Sequence, residues 1–416
     1  MQATAVKNNN RNILIIGLLF FVFGFVTWLG SVLIPYLRIA CQLSAFQSYF
    51  VAFSFYISYT VMAIPSSWVL KKTGFKKGMS AGLLMMALGA LFFIPAALTR
   101  MYPLFLLGLF IQGAGLTILQ TASNPYITIL GPQESAARRI SVMGICNGIA
   151  GAIAPIILGA VILQDADGFD KKLAGFNAAQ QNESLAHLAD RVILPYAVMF
   201  LTLVILALLI HFSSLPEVDA EEQATGESQH RKTSIFHFPH LLLGMVTIFL
   251  YVGVEVIAVD TIAGYAASMK VPLSTAKFFA SFTIVNMLVG YIIGIICIPK
   301  YISQQNALKV SAIAGIVFAI AALFTQGYTS ISFIGLLGLA NSLMWPSIWP
   351  LAIDGLGRFT KVGSSLLIMA IGGGAVLPLV YGHLAEIYDT HFAYVIVLPT
   401  YFMVLFYALK GHKIRT

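Results

Sequence analysis

Residues 112–159 read QGAGLTILQTASNPYITILGPQESAARRISVMGICNGIAGAIAPIILG, and this stretch decides the fold class. Two long apolar runs flank a short polar segment that contains Arg138 and Arg139. Each run is long enough to cross a bilayer as a helix, which takes about 20 residues. Both runs carry amides where a lipid-facing helix would carry leucine: Gln112, Gln120, Asn124 and Asn147. An amide buried without a partner costs about 1–3 kcal/mol, so we expect these side chains to face other helices, water or a hydroxyl-rich ligand.

The composition excludes a soluble globular protein. Of the 416 residues, 59% are hydrophobic and 10% are charged, and the mean hydropathy is +0.88, whereas soluble domains carry about 25% charged residues. The net charge of +8 is typical of the cytoplasmic loops of a membrane protein and does not indicate a nucleic-acid partner. Cys41, Cys146 and Cys297 lie too far apart for a zinc motif, so we expect them to be small apolar fillers.

The apolar runs predict an all-α membrane protein with twelve transmembrane helices. The predicted spans are 13–37, 46–70, 79–98, 102–125, 140–163, 191–212, 240–267, 274–298, 306–326, 330–353, 361–386 and 390–410. We interpret the first span as a retained helix, since no small-residue cleavage site ends it. The long polar loop 164–190 is expected to form a short surface helix.

A polar segment and an internal repeat divide the chain into two six-helix halves. Residues 213–239 are rich in charge and poor in aromatics, as expected of a linker. They separate an N-terminal half, 1–212, from a C-terminal half, 240–416. Two prolines of the first half have counterparts at similar spacing in the second: Pro125 and Pro155, against Pro346 and Pro378. Two parallel repeats are typical of transporters whose halves rock around a site at the membrane midplane.

Lysine and arginine predict the orientation in the membrane. Of the 24 such residues, Lys277 near the start of predicted span eight is not counted, since we expect its side chain to reach the interface. Six lie on the side opposite the termini: Arg38, Arg100, Lys171, Lys172, Arg191 and Lys270. The other seventeen, 24 less these seven, lie on the side of the termini. This bias predicts that both termini are cytoplasmic.

Two carboxylates lie inside predicted span seven, in FLYVGVEVIAVDTIAGY. Charged groups at membrane depth are costly, so they are functional candidates. Glu255 is deepest and is our first candidate for substrate binding or cation coupling; the alternative is a structural bond to a neighbouring helix. Asp260 either binds a cation or substrate, or is solvated near the outer mouth. Aligning Gly24 of span one with Gly253 of span seven makes Ser31 the equivalent of Asp260.

Amides and aromatics are distributed over several predicted spans. The amides are Gln112, Gln120, Asn124, Asn147, Asn286 and Asn341, and the aromatics are Trp28, Tyr56, Tyr59, Trp345 and Trp349. Any one amide could simply bridge two helices, but six of them favour a shared polar cavity. A sugar ring has apolar faces and a polar rim, so aromatic platforms with amides and one carboxylate suit a neutral sugar. No arginine lies at the centre of a span, which argues against an anionic substrate.

The sequence carries no pattern of catalytic residues. It contains no catalytic triad, no HExxH and no phosphate-binding loop, since no Walker lysine follows the glycines at 372–374. We therefore do not expect an enzyme or a cofactor.

Several of these segments resemble a known family. They are FVFGFVTWLGSVLIPYL, ILQTASNPYITILGP, FLYVGVEV and GSSLLIMAIGGGAVLPLVYG. They resemble the fucose–proton symporter family of the major facilitator superfamily, and within it the bacterial glucose/galactose branch. The resemblance implies a twelve-helix secondary transporter in the lipid of the bacterial inner membrane that carries a neutral monosaccharide with a cation. We further expect the protein to be a monomer, and we hypothesise that it works by alternating access.

Two departures from the family bear on the coupling ion. Where fucose symporters carry an Asn-Asp pair in span one, this chain has Gly30 and Ser31, and Gln120 replaces a glutamate. Glu255 matches the family's glutamate in span seven. Both missing carboxylates are implicated in proton coupling, so we expect sodium symport. Ser31, Asp260 and Glu255 are the coupling candidates, and the sodium ligands are not assigned. A proton symporter using Glu255, an uncoupled facilitator and a non-transporting sugar sensor are the alternatives.

Overall fold

The computed structural model describes residues 2–129, 136–163, 169, 173, 175–213, 235–298, 300–356 and 359–415. The regular structure of these residues is helical. Within these residues, the side chains of 2–13, 124–129, 136–141, 360, 361 and 364 are not described. The N-terminal half contains α1 Gln2–Thr27, α2 Gly30–Ala40, α3 Ala45–Ser48, α4 Phe50–Leu91, α5 Phe93–Thr99, α6 Tyr102–Ile129, α7 Ala136–Ile162, α8 Ala178–Asp190 and α9 Ile193–Phe212. The C-terminal half contains α10 Pro239–Asp260, α11 Ile262–Ser268, α12 Leu273–Cys297, α13 Gln304–Phe324, α14 Gly327–Asn341, α15 Met344–Ile353, α16 Thr360–Met369, α17 Gly373–Ile387 and α18 Val397–Leu409.

The length of the helices agrees with the twelve predicted spans. The described residues contain 11 stretches that are long and apolar enough to cross a membrane. One of them, Phe50–Thr99, has 50 residues, and a helix of that length would reach about 75 Å, more than twice the apolar thickness of a bilayer. Gly74, with φ of +74° and ψ of 175°, interrupts it in a conformation that favours glycine. The all-α fold with two crossings in this stretch is confirmed.

Several spans that the sequence predicts as single helices are interrupted, among them span three, which breaks between α4 and α5. Span one breaks between α1 and α2, span seven between α10 and α11, and span ten between α14 and α15. Span eleven passes through a 3-10 turn, Ala370–Gly372, between α16 and α17. Hydropathy stays high through each break, so the hydrophobic pattern did not predict them. Broken helices at membrane depth occur where the backbone is buried in protein or lines a cavity.

The predicted surface helix in the loop before span six is confirmed as α8. Asn177 caps it through a reciprocal pair of hydrogen bonds with Gln180, which satisfies backbone N–H groups at the helix start. Its C-terminal end is held by Tyr36 of α2, whose hydroxyl donates to the carbonyl oxygens of Leu188 and Ala189 at 2.9 and 2.8 Å. This places α8 against the end of span one.

Hydrogen bonds identify the side of the molecule on which the chain ends. Lys76, in the turn between spans two and three, donates to the carbonyl of Ser213 after span six at 2.6 Å. Arg415 pairs with Asp354, the residue after α15, at 2.6 Å, and His240 at the start of α10 contacts the Asp354 carbonyl at 2.9 Å. We call this the terminal side and the opposite one the far side.

The two halves meet through spans one and seven, two and eleven, and five and eight. Glycines bring the helices close: a Cβ at Gly372 of span eleven would overlap Thr60 of span two, and one at Gly148 of span five would overlap a leucine of span eight. The Gly30–Asp260 contact between spans one and seven lies in the far-side part of both. The central part of the predicted linker, 214–234, lies outside the described residues, so the domain division stays a prediction.

Candidate functional site

Glu255 is the centre of a polar cluster in the C-terminal half. Tyr251 lies four residues earlier on the same face of α10, and its hydroxyl donates to Glu255 Oε1 at 2.8 Å. Tyr291 of α12 and Tyr401 of α18 lie close enough to interact electrostatically with Glu255. Asn341, which is fully buried, accepts a hydrogen bond at its Oδ1 from the Tyr401 hydroxyl at 2.9 Å. Spans seven, eight, ten and twelve therefore contribute to one cluster.

A second polar pair lies in the N-terminal half. The half-buried Gln120 of α6 donates from Nε2 to the Tyr59 hydroxyl of α4 at 3.1 Å. The ring of Tyr59 stacks on that of Tyr56, with centroids 6.3 Å apart. Tyr56 lies near both Glu255 and Asp260. This tyrosine is therefore situated between the polar groups of the two halves.

Asp260 is buried, and its interpretation as a solvated group near the outer mouth is wrong. It is 1% exposed at the C-terminal end of α10. Its carboxylate fills the space beside Gly30, where a Cβ would overlap Oδ2, and the backbone N–H of Ser31 lies near it. The Ser31 hydroxyl points elsewhere and donates to the carbonyl of Trp28 at 3.3 Å. Ser31 and Asp260, which the repeat alignment makes equivalent, thus meet where the halves touch.

A small cavity adjoins the Asp260 carboxylate. Its volume is about 10 Å³, which is room for roughly one water-sized particle. We call it the Asp260 cavity. Its polar lining comes from Thr27, Gly30, Tyr56, Gln112, Tyr196 and Asp260. Gln112, which is 1% exposed, donates from Nε2 to Met199 Sδ at 3.5 Å.

Two of the remaining predicted site residues make packing contacts. Trp28 is 6% exposed and packs where a Cβ at Gly151 would be, between spans one and five. Asn286 donates to the carbonyls of Phe282 and Gly335 at 3.0 and 3.4 Å, and so links spans eight and ten. Trp28 and Asn286 thus pack against or bridge neighbouring helices, which is the structural alternative to binding a substrate.

Three further predicted residues lie in or near the interior. Trp345 is half-buried and stacks on Trp349, with centroids 5.2 Å apart. Asn147 is half-buried, and its backbone carbonyl contacts Gly24 of span one. The side chain of Asn124 lies outside the described residues.

Several hydroxyl groups near the site were not predicted from the sequence. Tyr251, Tyr291 and Tyr401 surround Glu255, and Thr27 and Tyr196 line the Asp260 cavity. Only Tyr251 had a detectable signal, since it lies one helical turn from a buried carboxylate. Among the described residues, no three His, Cys, Asp or Glu side chains gather as a metal site, so a sodium site here would rely on a single carboxylate with neutral oxygens.

Comparisons with known proteins agree with this architecture. Residues 16–377 match the Major Facilitator Superfamily. The chain is 34% identical over 415 residues to the glucose/galactose transporter of Brucella abortus biovar 1 (strain 9-941), covering 99% of this chain and 97% of the relative. It is 30% identical over 378 residues to the L-fucose-proton symporter of Escherichia coli (strain K12), covering 88% and 85%.

A solved structure shows the same fold. The crystal structure of the Major Facilitator Superfamily transporter FucP in the outward conformation superposes with a TM-score of 0.73 at 27% identity, covering 97% of this chain and 98% of FucP. The resemblance read from the sequence segments is thereby confirmed, and with it the prediction of a transporter rather than an enzyme. The chain belongs to the Major Facilitator Superfamily.

Proposed function

We propose that the protein is a secondary active transporter that moves a neutral hexose of the glucose/galactose type together with a cation by alternating access. The names of its relatives, glucose/galactose transporter and L-fucose-proton symporter, support sugar as the substrate class. The observation that carries the proposal is that each half holds one half-buried polar group next to a tyrosine hydroxyl. In the C-terminal half Tyr251 bonds to the Glu255 carboxylate, and in the N-terminal half Tyr59 bonds to the Gln120 amide.

The chemistry of these two pairs suits sugar hydroxyls. The Glu255 carboxylate accepts hydrogen bonds, and the Gln120 amide both donates and accepts. Each is already oriented by a tyrosine hydroxyl, so a sugar would meet groups held in place. Asn341 and Trp345 complete the proposed site on the C-terminal side, and Asn147 on the N-terminal side. Asn124 is kept as a candidate on the sequence alone, because it follows Gln120 by four residues. We give Trp28 and Asn286 positioning roles, because their contacts are with neighbouring helices.

For the coupling ion we propose sodium. Gln120 and Ser31 stand where fucose symporters have carboxylates, so the chain lacks the groups through which protons are coupled in that branch. The lysine and arginine bias supports cytoplasmic termini, and the bacterial relatives support the inner membrane. The proposed working unit is a monomer. Proton symport through Glu255 is the second candidate, favoured by the name of the fucose relative.

The decisive experiment is D-glucose uptake into proteoliposomes. One set receives a sodium gradient at constant pH, and the other a pH gradient without sodium. Stimulation by sodium alone is the expected result, and stimulation by the pH gradient alone would favour the proton symporter. Exchange that needs neither gradient identifies a facilitator. Binding of D-glucose without uptake or exchange identifies a sensor.

A further inference from the structure

We propose that the Asp260 cavity binds the coupling cation and that this cation is sodium. This assignment rests on the proposed function, and it deepens that function by separating the ion site from the sugar site around Glu255. It also adds Thr27, Tyr56 and Tyr196 as ligand candidates, none of which the sequence analysis assigned to an ion.

Four buried oxygen atoms around this cavity have no hydrogen-bond partner among the described residues. They are Thr27 Oγ1, Tyr56 Oη, Tyr196 Oη and Asp260 Oδ1. Tyr56, Tyr196 and Asp260 are 4%, 0% and 1% exposed. Buried polar atoms in proteins nearly always have a partner. Four such atoms, from four different spans, line one cavity. They therefore indicate a ligand that several oxygen atoms coordinate at once.

Asp260 supplies the charge. In the described part of the chain the one salt bridge joins Arg415 and Asp354, so Asp260 has no ion-pair partner there. An ionised carboxylate buried without a counter-charge is very costly. A cation beside Oδ1 removes that cost, and the cavity beside this carboxylate has room for one small ion.

The helix breaks on both sides of the cavity add to the site. Span one breaks between Thr27 and Gly30, and span seven breaks at Thr261, directly after Asp260. Interrupted transmembrane helices are where transporters use backbone groups to hold coupling ions. Glycine at position 30 leaves room for the Asp260 carboxylate, because a side chain there would overlap it. The site therefore depends on a residue that has no side chain.

The number of oxygens distinguishes sodium from a proton. Protonation of Asp260 would satisfy one oxygen and leave the hydroxyls of Thr27 and Tyr196 unchanged. A hard metal cation is bound by several oxygen ligands at once. The titratable side chains near Asp260 in the described residues are Tyr49, which precedes α4, and Tyr56 of α4, and both are neutral near pH 7. Within the described part of the chain no basic side chain acts on Asp260, so none competes with a cation there.

The same geometry offers a route for coupling. Tyr56 lines the Asp260 cavity, lies near Glu255, and stacks on Tyr59, the partner of Gln120. An ion that orders Tyr56 thereby orders the tyrosine that orients the sugar-binding amide. The ion and sugar sites are adjacent but share no proposed ligand.

The test measures ion binding separately from transport. Purified full-length protein is titrated with radioactive ²²Na⁺ without sugar, and D-glucose counterflow is measured in proteoliposomes without an ion gradient. The variants are Asp260→Asn, Thr27→Val and Gly30→Ala. The matched control is Thr247→Val, a buried threonine of α10 whose hydroxyl donates to Leu243 of its own helix at 2.7 Å. Melting temperatures of all variants report on folding.

We expect wild type and Thr247→Val to bind ²²Na⁺ equally. Asp260→Asn should weaken binding at least about tenfold, and the other two variants should weaken it severalfold. Unchanged binding in Asp260→Asn, or no binding by wild type, would overturn the ion site, and so would uptake driven by a pH gradient alone. Sodium binding that depends on Asp260 in a protein without D-glucose counterflow would retain the ion site and refute the proposed sugar. If Asp260→Asn does not fold, ²²Na⁺ binding by Thr27→Val and Gly30→Ala tests the ion site, and unchanged binding in both would overturn it.

Discussion

Gln120 is the residue on which the proposed sugar site depends most in the N-terminal half. Gln120→Ala removes a donor and an acceptor that Tyr59 holds in place. Since two neutral hydrogen bonds contribute about 0.5–1.5 kcal/mol each, we expect the apparent KM for D-glucose to rise about tenfold. Uptake kinetics in proteoliposomes measure this. Tyr102→Phe is the control, because that hydroxyl bonds to the Gln47 carbonyl at the far side. Unchanged kinetics in Gln120→Ala would remove Gln120 from the site.

A substitution of Glu255 distinguishes a role in sugar binding from a role in ion coupling. Glu255→Gln keeps the shape and still accepts from Tyr251, but it loses the charge that strengthens hydrogen bonds to sugar hydroxyls. We expect the KM for D-glucose to rise about tenfold or more, because hydrogen bonds to charged groups contribute about 1.5–3 kcal/mol. The sodium concentration for half-maximal uptake should stay unchanged. If sodium dependence is lost instead, Glu255 belongs to the ion site.

Residue types at membrane depth could be recognised from the sequence, but their partners could not. Glu255, Asp260 and Gln120 stood out because charged groups and amides are costly in lipid. The tyrosines around Glu255 did not, since a tyrosine in an apolar run is equally compatible with core packing. The burial of Asp260 beside Gly30 depends on contact between residues 230 positions apart, 260 less 30, and no local pattern contains it.

At the level of single elements, hydropathy predicted the spans and missed their interruptions. Breaks at Thr27–Gly30 and at Thr261 change the backbone without changing the apolar character of the side chains. Between spans two and three, one residue with non-helical φ and ψ, Gly74, interrupts the helix. Interruptions of this kind depend on one residue's φ and ψ, whereas hydropathy averages over about 20 residues.

Helix packing in span eleven yields a stability prediction. A Cβ at Gly373 would overlap the backbone carbonyl of Phe249 in α10, and a carbonyl cannot swing aside as a flexible side chain can. Gly373→Ala should therefore lower the free energy of unfolding by about 1–3 kcal/mol, as overpacking typically does. The melting temperature in detergent measures it. Gly264→Ala in α11 is the matched control, because nothing lies within 4 Å of its added Cβ, and it should melt no lower than wild type.

At the scale of the whole molecule, the contact between spans two and eleven tests alternating access. A Cβ at Gly372 would lie 3.4 Å from the Thr60 Cβ, close to the separation found in disulfides. In a protein whose Cys41, Cys146 and Cys297 are replaced by serine, Thr60→Cys with Gly372→Cys should crosslink on oxidation. Uptake should then fall to about a tenth or less and return on reduction, because the halves cannot separate. Each single cysteine variant is the control, and full uptake by the crosslinked protein would contradict rocking at this contact.

Coupling to one cation sets a limit on accumulation. One positive charge crossing a potential of about 100 mV gains about 2.3 kcal/mol, which supports roughly 40- to 50-fold accumulation of a neutral sugar. Proteoliposomes with equal sodium on both sides and an imposed potential of that size, negative inside, should approach this ratio for D-glucose. The same vesicles without the potential should reach equal concentrations. Equal concentrations in both cases would indicate no net charge movement.

The paired breaks beside Asp260 also bear on how fast the far side can open. Beyond them, α2 has 11 residues and α11 has seven, and these two short helices pack against each other across the halves. Each is anchored to its own half, since the Tyr36 hydroxyl of α2 donates to Leu188 and the Tyr265 hydroxyl of α11 bonds to Ser330. We therefore expect α2 and α11 to separate only when the two halves move apart, a collective motion that takes microseconds to milliseconds. Asp260 would then exchange its ion with the far side no faster than the halves rock.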